Sequence, residues 1–99
     1  MTHLPLELHA DAEDEYQDAI WWYRERNFPA AEQFVRAVQL GLEKIEESPE
    51  RWPIYMAGFR KYKIYEFPYS IVYRIELSRV LVLAVAHGSR KPGYWKRRG

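Results

Sequence analysis

Residues 59–87, FRKYKIYEFPYSIVYRIELSRVLVLAVAH, alternate with a period of two and carry two breaks. Successive side chains on a strand point to opposite faces, so this period predicts strands rather than helices. The breaks, Phe67-Pro68 and Leu77-Ser78, read as turns. They divide the stretch into strands Phe59 to Glu66, Tyr69 to Glu76 and Arg79 to His87. Such short connections join antiparallel neighbours, so the three strands form a meander. Tyr69, Ile71, Tyr73 and Ile75 share one face of the middle strand. The last strand is apolar on both faces, which suits a central position. His87 ends that strand in phase with Leu81, Leu83 and Val85.

Upstream the period changes. Ala12, Tyr16, Ala19, Ile20 and Tyr23 fall on one face at helical spacing. Asp11 suits the N-cap, and Glu13, Asp14 and Glu15 follow where the helix dipole favours anions. Asn27-Phe28-Pro29 interrupts the pattern, and Pro29 suits the first position of a second helix. That helix aligns Ala31, Phe34, Val35, Val38, Leu42 and Ile45, and it must end before Pro49. The short connection makes an antiparallel helical hairpin. Before it, Leu4 to His9 alternates as a short strand, with Pro5 placing its start at an edge. Residues 49–58 read as a loop, broken by Pro49, Pro53 and Gly58. Gly88 to Gly99 is basic and aromatic, with Gly88, Pro92 and Gly93 against regular structure. The expected fold is α+β, in the order β-α-α-β-β-β: a helical hairpin packed on an antiparallel sheet, whose other face stays at least partly open.

Ninety-nine residues make one domain, residues 1–99. The longest apolar run, Val80 to Ala86, is too short to cross a bilayer. Met1-Thr2-His3-Leu4-Pro5 lacks the layout of a signal peptide. There is no cysteine, hence no disulfide framework or thiolate chemistry. A cytoplasmic protein with no membrane association is expected. Its net charge of +1 conceals an asymmetry. Residues 1–50 hold 12 acids and 4 bases, whereas residues 51–99 hold 2 acids and 11 bases. The halves therefore carry −8 and +9, which points to an anionic partner for the second half.

Two groups of residues could carry function. Arg60, Lys61, Lys63 and Arg74 lie on the meander, and Arg90, Lys91, Lys96, Arg97 and Arg98 follow it. Tyr62, Tyr65, Tyr69, Tyr73, Tyr94 and Trp95 are interleaved with them. Cations neutralise phosphates and rings stack on bases, but lysines on a strand also serve simply to block edge pairing. Alternation puts Lys61, Lys63 and Tyr65 on one face and Arg60, Tyr62 and Ile64 on the other. The second group is His87, Arg90 and Tyr94. Histidine moves protons near neutral pH and arginine holds phosphate, although a lone histidine more often caps or packs a strand end. His3 and His9 have no ligand-like companions, so neither a metal nor another cofactor is expected. Trp21 and Trp22 are adjacent and cannot both face one core, which leaves one for a partner surface.

The segments Arg60-Lys61-Tyr62-Lys63-Ile64, Phe67-Pro68-Tyr69-Ser70-Ile71-Val72-Tyr73-Arg74 and Val82 to Trp95 together resemble the RelE/ParE toxin superfamily. Ala12 to Tyr23, Ala30 to Phe34 and Ile45 to Pro53 agree with its layout. The resemblance implies the toxin half of a type II toxin–antitoxin system, of the kind tied to plasmid stabilisation and growth inhibition. It implies an antitoxin whose C-terminal segment wraps the toxin, and it allows a heterotetramer of the two. An open basic face suits an acidic segment in that role. RelE-like members cut messenger RNA on the ribosome without a metal, whereas ParE-like members poison DNA gyrase and are not nucleases. Carried over, the nuclease set would be Lys63, His87, Arg90 and Tyr94, with His87 as base. Arg60, Lys61, Arg74 and Trp95 would meet the antitoxin or the target. The nuclease pattern is incomplete: Tyr65 stands where a second lysine belongs, Ser70 where an arginine belongs, and Tyr94 is out of register. His87-Gly88-Ser89-Arg90 followed by Trp95 looks more like the ParE branch. The alternatives are a ribosome-dependent endonuclease and an inactive relative that only binds the antitoxin.

Overall fold

The computed structural model describes residues 3–99. Its elements are β1 (Leu6–Leu8), α1 (Ala10–Arg26), α2 (Phe28–Glu47), β2 (Ile54–Met56), β3 (Phe59–Ile64), β4 (Tyr69–Ile75) and β5 (Val80–His87). Met1 and Thr2, the start of the segment read for a signal peptide, lie outside the described residues.

The helical hairpin forms as its sequence dictates, with one correction. His9, not Asp11, caps α1: its side chain accepts the Asp11 amide at 3.1 Å. The chain leaves the sheet at that point, where the His9 N–H donates to Val82 O at 2.8 Å. The helix therefore begins at Ala10 and Asp11 falls in its first turn. Asn27 closes α1 and opens α2, its side chain accepting the Ala30 amide at 3.1 Å. α2 ends at Glu47, and Pro49 prevents its continuation. The apolar stripes of both helices bury Ala12, Tyr16, Ala19, Phe34, Val38 and Ile45 against the sheet. The Phe34 ring lies 5.1–6.0 Å from those of Tyr16, Tyr23, Phe67 and Tyr69, so aromatic packing locks the hairpin to the start of β4. Gly41 lets α2 approach the sheet: a Cβ there would lie 2.8 Å from the Tyr62 ring.

The sheet runs β1-β5-β4-β3-β2 and is mixed, not purely antiparallel. β1 pairs parallel to β5 over Leu6–Leu8 and Val80–Val82. Parallel neighbours need a long crossover, which the intervening helices and strands supply. β3, β4 and β5 form the expected meander. Residues 49–58 are not all loop, because Ile54–Met56 adds a short edge strand on β3.

One irregularity changes which way His87 faces. Val72 pairs with Ala84 but Tyr73 pairs with Val82, so Leu83 is an extra, bulged residue. Val80 and Val82 face the helices before the bulge, and Val85 does so after it. Leu81, Leu83, Ala84 and Ala86 face the opposite side. His87 is thus in phase with Val85 but not with Leu81 and Leu83. The opposite face is also less open than expected. Trp95, 2% exposed, lies over Val72, Leu81, Leu83 and Ala84, flanked by Tyr55, Phe59 and Tyr94. No helix is long and apolar enough to cross a membrane among the described residues.

Candidate functional site

The Leu83 bulge and the shortness of β1 leave the outer edge of β5 without a strand partner beyond Val82. Glu15, on α1, fills the gap. Its carboxylate accepts the Val85 amide at 3.1 Å, the Tyr94 hydroxyl at 2.7 Å and two Arg98 nitrogens at 3.0 Å each. Arg98 also donates to Leu83 O at 2.9 Å. Glu15 and Arg98 are each 15% exposed, so this is a partly buried, hydrogen-bonded ion pair. Burial opposes the Arg98 charge, yet the hydrogen bond and charge of Glu15 outweigh it and raise the Arg98 pKa. Together these contacts fold the C-terminal segment back and hold Trp95 on the sheet.

Beside this anchor is a recess of about 380 Å³ lined by Glu15, Asp18, Trp22, Tyr69, His87, Arg90 and Tyr94, among others. Three of the expected residues, His87, Arg90 and Tyr94, therefore meet in one place. The Arg90 guanidinium lies 3.9 Å from the Tyr94 ring centroid and 3.8 Å from Glu15. The His87 ring stands edge-on to Tyr69, with 5.0 Å between centroids. His87 Nδ1 accepts the Ser89 amide at 2.9 Å and lies 2.8 Å from the Ser89 hydroxyl. An amide N–H can only donate, so neutral His87 carries its proton on Nε2. Nδ1 is occupied, and Nε2 is a donor rather than a proton acceptor. Burial first, then the hydrogen bond to Glu15, raises the Tyr94 pKa far above neutrality. Burial raises that of Tyr69 as well, with Tyr23 and Glu15 adding. The recess thus offers N–H donors and a guanidinium to an anionic group. The Glu15 carboxylate is taken up by Val85, Tyr94 and Arg98 and His87 Nδ1 by Ser89, which leaves the exposed Asp18 carboxylate as the recess's open proton acceptor.

Lys63 is not part of this recess. It lies opposite Ser70, which lies opposite Ala86, whereas His87 lies opposite Tyr69, which lies opposite Ile64. Directly opposed residues share a face, so the sheet separates Lys63 from His87. Lys63 instead lines a groove of about 560 Å³ between α2 and the β2–β3 edge. Lys61 lines it too, its ammonium 4.1 Å from the Tyr55 ring centroid. Arg60 faces the helix side and donates to Glu50 O and Trp52 O, tying down the loop before β2. Arg74 bonds Glu76 at 2.6 Å and Gly99 O at 3.1 Å. Hydrogen bonds from Arg79 and then Arg74 lower the Glu76 pKa. Trp95 serves the core. Trp21 and Trp22 both lie outside it, 59% and 50% exposed, with Arg24 and Arg26 stacked on their rings.

Sequence reasoning did not find Glu15, because an acid near a helix start already has an explanation in the dipole. Asp18, Tyr69 and Trp22 carry no signal in the chain that would place them at His87. Among the described residues, no group of three or more His, Asp and Glu could hold a metal ion.

The sequence profile described as ParE toxin of type II toxin-antitoxin system, parDE, matches residues 6–92. Among solved structures, a chain from "Chromosomal ParDE TA system from P. aeruginosa" is similar in fold, with a TM-score of 0.76 and 15% sequence identity. The similarity covers 86% of this chain and 96% of that one. No curated protein sequence matches.

Proposed function

The chain belongs to the ParE family of type II toxin–antitoxin toxins, and from that premise we propose a non-nuclease growth inhibitor whose target is DNA gyrase. The observation that carries this reading is the division of the nuclease set. Lys63 lies on one face of the sheet and His87 on the other. His87 presents a donor at Nε2 because the Ser89 amide occupies Nδ1. Tyr94 gives its proton to a bond with Glu15. Attack of a ribose hydroxyl on a phosphate needs a proton acceptor and clustered cations at one point. His87 Nδ1 is taken by Ser89 and Lys63 lies across the sheet from His87, so the expected base and cation set is not assembled, which favours target binding over cleavage.

The partner is an antitoxin with an acidic toxin-binding segment. The +9 charge of residues 51–99 supports this, as does the fold shared with a chain of the P. aeruginosa ParDE system. Purified protein titrated into a gyrase supercoiling reaction is expected to inhibit supercoiling and to leave ribosome-bound messenger RNA intact. Cleaved message with unimpaired supercoiling would reverse the assignment.

A further inference from the structure

Three large aromatic side chains at the turn of the helical hairpin have no place in the core. Trp21, Trp22 and Phe28 are 59%, 50% and 53% exposed. α1 turns Ala12, Tyr16 and Ala19 inwards and leaves these rings outside. Cations hold them from above. Arg24 lies 5.1 Å from the Trp21 ring centroid and 5.5 Å from that of Phe28, and Arg26 lies 4.1 Å from that of Trp22. Tryptophan and arginine are the residues most often found as anchors where proteins bind one another, and rings already held in place lose little freedom on binding.

The charge of α1 is divided along its length. Its first half carries Asp11, Glu13, Asp14, Glu15 and Asp18 and no base, whereas its last turn carries Arg24 and Arg26. Asp14, Gln17, Trp21 and Arg24 are all exposed and recur at intervals of three, four and three, so they form one stripe along the helix, away from the core. Neither Asp14 nor Arg24 has an ion-pair partner among the described residues. The stripe is acidic at one end, aromatic and basic at the other, and so complements its own reverse. Nucleic acid or an acidic peptide suits it poorly, because the acidic end would repel either.

We propose that this stripe receives a second copy of the chain, in an isologous dimer whose two α1 helices pack antiparallel. With the two-fold axis passing midway between Gln17 and Trp21, Trp21 lies against Gln17 of the second copy and Arg24 beside its Asp14. Two-fold symmetry makes every contact twice, giving two tryptophan anchors and two ion pairs. Parallel helices would instead set acid against acid and base against base. One pair of 17-residue helices makes a small interface, so the dimer is a weak one that forms as concentration rises. The inference depends neither on the cellular target nor on where an antitoxin binds.

The test follows the mass of the full chain in solution by sedimentation equilibrium. The wild type is expected to pass from monomer towards dimer as its concentration rises through about 100 μM. Trp21→Ala is expected to weaken the association at least about tenfold. Asp14→Arg and Arg24→Glu each set like charges against one another in their own dimers, and each is expected to weaken association by about the same factor. Mixed in equal amounts, these two variants are expected to recover the wild-type association, because every facing pair then joins opposite charges. Circular dichroism identifies the folded variants; if a charge variant does not fold, the wild type and Trp21→Ala decide alone. A wild-type chain that stays monomeric up to about 1 mM overturns the proposal. So does a dimer indifferent to Trp21→Ala or to either charge reversal, or a mixture of the two reversals that associates no better than each alone.

Discussion

Replacing Glu15 with alanine should loosen the whole C-terminal segment. The substitution strips the Val85 amide, the Tyr94 hydroxyl and Arg98 of one shared acceptor. A hydrogen bond to a charged group contributes about 1.5–3 kcal/mol, and an orphaned buried donor costs about 1–3 kcal/mol. Glu15 and Arg98 are 15% exposed, so water entering the gap recovers part of the loss. A net destabilisation of about 3 kcal/mol is expected, which for a domain of this size lowers Tm by roughly 12–24 °C. Glu15→Gln retains an acceptor but not the charge and should cost about half as much. Thermal and urea unfolding followed by circular dichroism would measure both variants. Limited trypsin digestion would report the tail directly, since Lys96 and Arg97 are exposed and become cleavable once Trp95 lifts. A Glu15→Ala protein within about 1 kcal/mol of wild type, with an unchanged digestion pattern, would refute the anchoring role.

His87→Ala should leave growth arrest on expression intact, since neutral His87 offers no base in the recess; loss of arrest in a folded variant would return it to a catalytic role. Gly41→Ala places a methyl 2.8 Å from the Tyr62 ring and 3.0 Å from Ile71 Cδ1, and should cost about 1–3 kcal/mol of stability by denaturant unfolding. An unchanged midpoint would mean that the helix–sheet contact yields more easily than the geometry implies. Burial pushes the Tyr73 hydroxyl up to about 12, against the opposing charge of Arg60. The folded state thus keeps a proton that the unfolded chain releases near pH 10. This stability is fully present below pH 10 and is lost as pH rises towards 12. Tyr73→Phe should flatten that alkaline limb while losing the 2.6 Å bond to Pro49 O at neutral pH; an unaltered alkaline titration of stability would contradict the assignment.

Much of the architecture is legible because burial imposes periods on the chain. Phe34, Val38, Leu42 and Ile45 mark α2, and Tyr69, Ile71, Tyr73 and Ile75 mark the helix-facing side of β4, as the contacts confirm. The period fails where burial is two-sided. In Val80 to Ala86 every residue is buried, so nothing in the pattern betrays the bulge at Leu83 that turns Val85 and His87 towards the helices. β2 is hidden for another reason: three residues between Pro53 and Gly58 are too few to show a period. The parallel pairing of β1 depends on a partner more than seventy positions away, which local pattern cannot register. The recess was half legible. His87, Arg90 and Tyr94 are close in sequence and converge, but Glu15 joins them through contacts at separations of 70 to 83 residues. Trp95 reads as a surface residue in a basic, glycine-containing tail. It is buried because Glu15 and Arg98 fasten that tail to the edge of β5.

The central claim is most directly tested by pulse-labelling DNA and protein synthesis in a bacterial host just after this gene is induced alone. A toxin of the non-nuclease branch predicts that DNA synthesis falls first while translation continues. An immediate fall in protein synthesis, with DNA synthesis following later, would contradict it and point to cleavage of message on the ribosome.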